Sequence, residues 1–245
     1  MNAKGIIRLD PNGPEGVGLA PMEIDPGDFQ QAPEEQRIHV YFEDPALNLA
    51  VGVWTTTDMQ EPFGPYPGDE FMVVLEGRVE MLDGDGGVTP VEIGEGFATR
   101  DGAPLSWRQT GFLKKAFILM SDGETPEAVP GQGVFVAKPA PGAHQMQDAE
   151  EMIGGGRQRE VAVYQNDAGN MEAGIWETTA FETEMAPFSV HEFAHIISGA
   201  VTITDEQGAA HDFAAGDSLF IAAGTICKWS ASGDVRKYYA AVTPV

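Results

Sequence analysis

Three side chains able to hold a metal or move a proton crowd one short run: His191, Glu192 and His195, within PFSVHEFAHIISG at 187–199. Imidazole nitrogens and carboxylate oxygens ligate Zn, Mn and Fe, and a thiolate favours the softer ions. The chain's single cysteine, Cys227, follows in GTICKW, two residues before Trp229. A divalent centre assembled from His191, Glu192, His195 and Cys227 is one chemistry this region could support. The other is hydrogen bonding by polar strand residues. In a regular strand alternate residues share a face, so His191 and His195 point one way and Glu192 the other. A centre using all three would need a β-bulge. Both readings stay open at this level.

The elements around these residues have period two. FMVVLEGRVEML and FAHIISGAVTIT are β-rich, and each is followed by a turn, DGDGG or DEQG. Many short strands between Gly and Pro turns, with almost no helical pattern, predict an all-β protein of sandwich or barrel type. The chain also repeats itself. At an offset of 122 residues, Trp54 meets Trp176, Glu70 meets Glu192, Gly77 meets Gly199, Trp107 meets Trp229 and Lys115 meets Lys237. From Asn48/Asn170 to Met120/Val242 no gap is needed, and 17 of the 73 pairs are identical, where chance gives about four. Upstream, GIIRLDP at 5–11 resembles GVFVAKP at 133–139 with a different offset. Two tandem domains are therefore expected, 1–124 and 125–245, joined through SDGETPEAVPGQG at 121–133. AEEMIGGGRQRE at 149–160 reads as a loop or a short helix ending at its glycines.

Charge bounds the partners. Fourteen Lys and Arg stand against 38 Asp and Glu, a net charge of −24. Such a surface repels phosphate backbones and anionic lipid heads, so no nucleic acid and no membrane surface is expected to bind. One cysteine forms no internal disulfide. The first residues lack the apolar stretch of a secretory signal, and no apolar run reaches membrane length. A cytoplasmic protein, a monomer of two barrels or a homodimer, is expected.

The spacing Glu70…Gly77 and Glu192…Gly199, the turns Gly94-Glu95 and Gly216-Asp217, and the later Gly102 and Gly224 resemble the two motifs of the cupins. The surrounding W-E-x-T, H/D-E-F and VRKYY pattern resembles the ureidoglycine aminohydrolase and ethanolamine-utilisation type cupins. The resemblance implies two tandem cupin jelly-roll β-barrels related by an internal pseudo-twofold axis. It also implies where metal ligands would stand: two histidines ahead of the glutamate and a third in the second motif. Those slots hold Phe63, Gly64, Pro65, Tyr66 and Leu105 in the first half, and Met185, Ala186, Pro187, Phe188 and Cys227 in the second. The first barrel is thus expected to hold no metal. The second keeps His191, Glu192, His195 and Cys227 as the candidate set for Zn, Mn or Fe.

Either glutamate could bind an amine or serve as a general base if desolvation raised its pKa, or could brace backbone amides. Trp107 and Trp229 could line an apolar pocket or belong to the core. Trp54 and Trp176 are expected in the core or between barrels, and Cys227 as a buried, unreactive thiol. The candidate ligand-binding residues are Glu192, Cys227, Trp229, His195, Phe188, Glu70, Tyr66 and Trp107. A small-molecule ligand or substrate is expected in the C-terminal barrel, at an enzyme-like site of the ureidoglycine aminohydrolase type. The alternative is a metal-free, non-catalytic metabolite-binding or sensor protein.

Overall fold

The structure, a computed structural model, describes residues 5–149 and 154–244. Residues 150–153, part of the expected loop or helix at 149–160, lie outside the described residues. The glycines that follow, Gly154, Gly155 and Gly156, have positive φ and form a bend. No α-helix occurs among the described residues, and none is long and apolar enough to cross a membrane.

Sixteen principal strands follow in two sets of eight. The first set is β1 (Gln36–Asp44), β2 (Leu49–Thr56), β3 (Asp69–Glu76), β4 (Val79–Asp83), β5 (Val88–Val91), β6 (Gly96–Thr99), β7 (Pro104–Gln109) and β8 (Leu113–Met120). The second is β9 (Gln158–Gln165), β10 (Met171–Thr178), β11 (His191–Ser198), β12 (Ala200–Asp205), β13 (Ala210–Ala214), β14 (Ser218–Ile221), β15 (Ile226–Ala231) and β16 (Val235–Val242). In the first set one sheet runs β6-β3-β8-β2-β1 and the other β7-β4-β5. In the second set the orders are β14-β11-β16-β10-β9 and β15-β12-β13, the same topology repeated strand for strand. Each set is an antiparallel jelly roll.

The correspondence reaches single residues. Glu76 and Val74 pair with Lys114 and Lys115, leaving Leu75 as a bulge, and Ser198 and Ile196 pair with Arg236 and Lys237, leaving Ile197. Gly77 and Gly199 follow these bulges at φ 80° and 82°. A β-carbon there would lie 2.2 Å from Phe112 O or Asp234 O, so the turn requires glycine.

The compact units differ from the expected division at 124/125. They run Asp10–Val136, and Met1–Leu9 with Ala137–Val245. The reason is edge pairing: Ile6–Arg8 is hydrogen-bonded to β14, and Val134–Ala137 joins the edge of β6. These are the two segments whose likeness, GIIRLDP and GVFVAKP, falls off the main offset. Each closes a sheet edge that would otherwise expose unpaired backbone groups.

Each barrel holds its own core. Met72, Val74, Phe97, Trp107 and Phe117 are buried in the first. Ala194, Ile196, Leu219, Cys227 and Trp229 are buried in the second.

Candidate functional site

Strand alternation decides which side chains enter each barrel. On β3 the inward residues are Glu70, Met72 and Val74, and opposite them on β8 stand Leu119, Phe117 and Lys115. Lys115 reaches along the sheet to donate to Glu70 Oε1 at 2.7 Å, with its Nζ also 3.0 Å from Met72 Sδ. Tyr66 Oη donates to the second oxygen, Glu70 Oε2, at 2.5 Å. The ammonium lies over Trp54, its cross-strand neighbour, and over Trp107, at 5.1 and 4.9 Å from the ring centroids. Such placement attracts a cation to the negative ring faces. The Lys115 and Glu70 side chains are 10% and 6% exposed, so their charges are screened little by water. Tyr66 stays protonated: burial, then the Glu70 charge, pushes its pKa well up. Glu61 adds a second carboxyl nearby, lifted to about 7 by burial against the opposing pull of Lys115 and with the push of Glu70.

The second barrel repeats the pair. Lys237 donates to Glu192 Oε1 and lies 5.0 Å from the Trp176 centroid and 4.6 Å from that of Trp229. The two side chains are 9% and 12% exposed. Here a cavity of about 350 Å³ opens onto the pair, lined among others by Trp176, Phe188, Glu192, Trp229, Lys237 and Tyr239. Glu160 also lines it, and Tyr239 Oη donates to Glu172 Oε1 at 2.7 Å. Phe188 stacks beside Trp229 at 6.1 Å and 20°. A larger hollow of about 510 Å³, bounded by Phe181, Val201, Phe213 and Ser230, contains neither member of the pair.

The candidate metal set does not converge. His191 and His195 lie on the face of β11 opposite Glu192, because the bulge falls at Ile197, beyond them. There His191 stacks on Phe220 and accepts from Ala223 N, while His195 stacks on Tyr238 with Nδ1 2.8 Å from Ser218 Oγ. Burial pulls the His195 pKa down to about 4, so its ring is neutral. Among the described residues no three His, Cys, Asp or Glu side chains are grouped to hold a metal ion. The residues present therefore do not fit the metal that the cupin resemblance implies. The glutamate expected to ligate it holds an ammonium instead.

Of the ligand candidates, Glu192, Trp229 and Phe188 line the cavity. Cys227 is buried in the core, where burial raises its pKa and the Trp229 indole opposes that rise. His195 faces away. Glu70, Tyr66 and Trp107 do come together, in the first barrel around Lys115. Lys115, Lys237 and Tyr239 were missed as site residues, and Trp54 and Trp176 pack on the lysines. The available signal was a lysine recurring at the same position of two apolar strands, KKAFILM and RKYYAAV.

Comparison with known proteins gives the fold. Residues 165–239 match the family model of the EutQ-like cupin domain, Cupin_3. No curated protein matches the chain in sequence. A protein of unknown function from Pseudomonas syringae pv. tomato has a similar structure, with TM-score 0.77 and 22% identity over 98% of this chain and all of that one. A putative glyoxylate-induced protein from Pseudomonas aeruginosa gives 0.64 and 13%, covering 100% of this chain and 92% of its own. An oxalate decarboxylase from Lactobacillus farciminis gives 0.54 and 13%, covering 98% and 86%. The chain thus has the fold of two tandem cupin jelly rolls, and residues 165–239, in the second of them, match the EutQ-like cupin domain.

Proposed function

We propose that this protein binds a small polar metabolite in the cavity of its second barrel without a metal ion. The observation that carries this is the Glu192–Lys237 pair, held under Trp176 and Trp229 and opening into a cavity of about 350 Å³. That size is within the roughly 300–1,000 Å³ typical of ligand sites, which combine apolar walls with a few convergent polar groups. In a metal cupin the cation beside this glutamate would be the ion. Here the Lys237 ammonium supplies the positive charge. Decarboxylase chemistry, named for one structural neighbour, is not carried over to this chain: the donor set does not fit a metal, and likeness at 13% identity speaks only for the fold. The non-catalytic, metabolite-binding reading is therefore preferred to the aminohydrolase-like one.

A thermal-shift screen of small polar metabolites, run with and without EDTA, tests this. Ligands that raise the melting temperature should do so equally with EDTA and should lose their effect in Ala241→Phe, which fills the cavity from β16. Hits abolished by EDTA, or unaffected by Ala241→Phe, would contradict the proposal.

A further inference from the structure

The two barrels carry the same ion pair in different states of completion. In the first, both oxygens of Glu70, the Lys115 ammonium and the Trp107 indole each have protein partners. Lys115 occupies Glu70 Oε1, Tyr66 occupies Oε2, Met72 Sδ contacts the ammonium, and the Trp107 indole N–H donates to Gln109 Oε1 at 3.0 Å. At the offset of 122, Tyr66, Met72 and Gln109 become Phe188, Ala194 and Ala231. All three partners are replaced by apolar side chains while the glutamate, the lysine and both tryptophans are kept.

The consequence is visible in the second barrel. Glu192 receives Lys237 on Oε1 and has no other hydrogen-bond donor among the described residues. Lys237 donates to Glu192 alone among the described residues. The Trp229 indole N–H is buried without an acceptor oxygen and has only the Cys227 thiol beside it. Trp229 is 5% exposed and lines the cavity. Leaving a buried polar group unmatched costs roughly 1–3 kcal/mol, so such groups call for an explanation. The indole N–H lacks an acceptor oxygen, and Glu192 Oε2 and Lys237 Nζ keep hydrogen-bonding capacity that the sister barrel fills with protein; a ligand in the cavity would complete all three.

Resting on the binding site proposed above, we infer that its ligand is a small, uncharged molecule with a carboxamide head on a flat apolar body. The amide oxygen accepts from Lys237 Nζ and the Trp229 indole, and the amide N–H donates to Glu192 Oε2. Neutrality follows from charge. Glu192 and Lys237 offset each other, so an added anion would meet Glu192 and the Glu160 carboxylate at the cavity wall, and an added cation could reach Glu192 only beside the Lys237 ammonium. The flat body follows from the aromatic wall of Phe188, Trp229 and Trp176.

Three probes of one size separate the possibilities: benzamide, benzoate and benzylamine, titrated into the full chain and followed by calorimetry and tryptophan fluorescence. Benzamide should bind at least about tenfold more tightly than either charged probe. Phe188→Tyr, which returns the hydroxyl that Glu70 has, should weaken benzamide about tenfold. Phe188→Tyr with Ala231→Gln should weaken it further. Both variants should melt at or above the parent temperature, because the first barrel already holds these contacts. Failure of benzamide to bind, or tighter binding of benzoate or benzylamine, overturns the carboxamide assignment. If the metabolite screen still yields hits lost in Ala241→Phe, the binding reading survives that failure. Benzamide binding that Phe188→Tyr, the double variant and Ala241→Phe all leave intact overturns both.

Discussion

Removing one member of the Glu192–Lys237 pair should destabilise the second barrel far more than removing both. Two unit charges in contact at roughly 3 Å attract by about 5 kcal/mol at an effective dielectric of 20. The side chains are 9% and 12% exposed, so solvent screens little of this. Glu192→Gln leaves a buried ammonium without its counter-ion, and Lys237→Met leaves a buried carboxylate. Each should cost about 3–5 kcal/mol, a large share of the roughly 5–15 kcal/mol that holds a domain together. The double variant Glu192→Leu with Lys237→Met exchanges the pair for apolar groups under Trp176 and Trp229, and should lie within about 1 kcal/mol of the parent. Urea unfolding followed by circular dichroism, with hydrogen exchange to assign each loss to its barrel, gives the four corners of the cycle. Single variants that each cost under about 1 kcal/mol, or costs that simply add in the double variant, would refute a mutually dependent buried pair.

The Glu61 carboxyl is lifted from 4.5 to about 7 in the folded protein, so folding favours its protonated form. The stability it contributes is full below pH about 4.5 and falls as pH climbs to about 7. Each tenfold difference in proton affinity between the folded and unfolded chain is worth about 1.36 kcal/mol. Glu61→Gln should therefore raise stability by up to about 3 kcal/mol at pH 8 and leave it unchanged at pH 4.5; equal effects at both pH values would contradict this. Cys227 is buried with a raised pKa, so a disulfide reagent such as Ellman's at pH 8 should label it only after unfolding. Prompt labelling of the native protein would show an accessible thiolate.

The fold was legible because the repeat preserves what backbone geometry demands. Gly77 and Gly199 mark two equivalent turns, and alternating apolar residues mark β3 and β11. The unit boundary was less legible. Ile6–Arg8 and Val134–Ala137 were recognised as similar, but strand pairing across long sequence separation leaves no local signature. At the site, Glu192, Trp229 and Phe188 were legible from motif spacing. Alternation had already set His191 and His195 against Glu192, and only the position of the bulge decided the matter. Lys115 and Lys237 were seen as repeated identities but not as interior groups, since lysines in strands usually face water. Their partners lie 45 residues upstream, a distance over which sequence offers no pairing rule.

The most direct test is a crystal structure grown with Mn²⁺ or Zn²⁺ present, with anomalous data collected at the metal edge. The substitution of an ammonium for a metal predicts Lys237 Nζ hydrogen-bonded to Glu192 and no anomalous peak within coordination distance of either glutamate. An anomalous peak on Glu192, with Lys237 displaced and His191, His195 or Cys227 turned toward it, would contradict it.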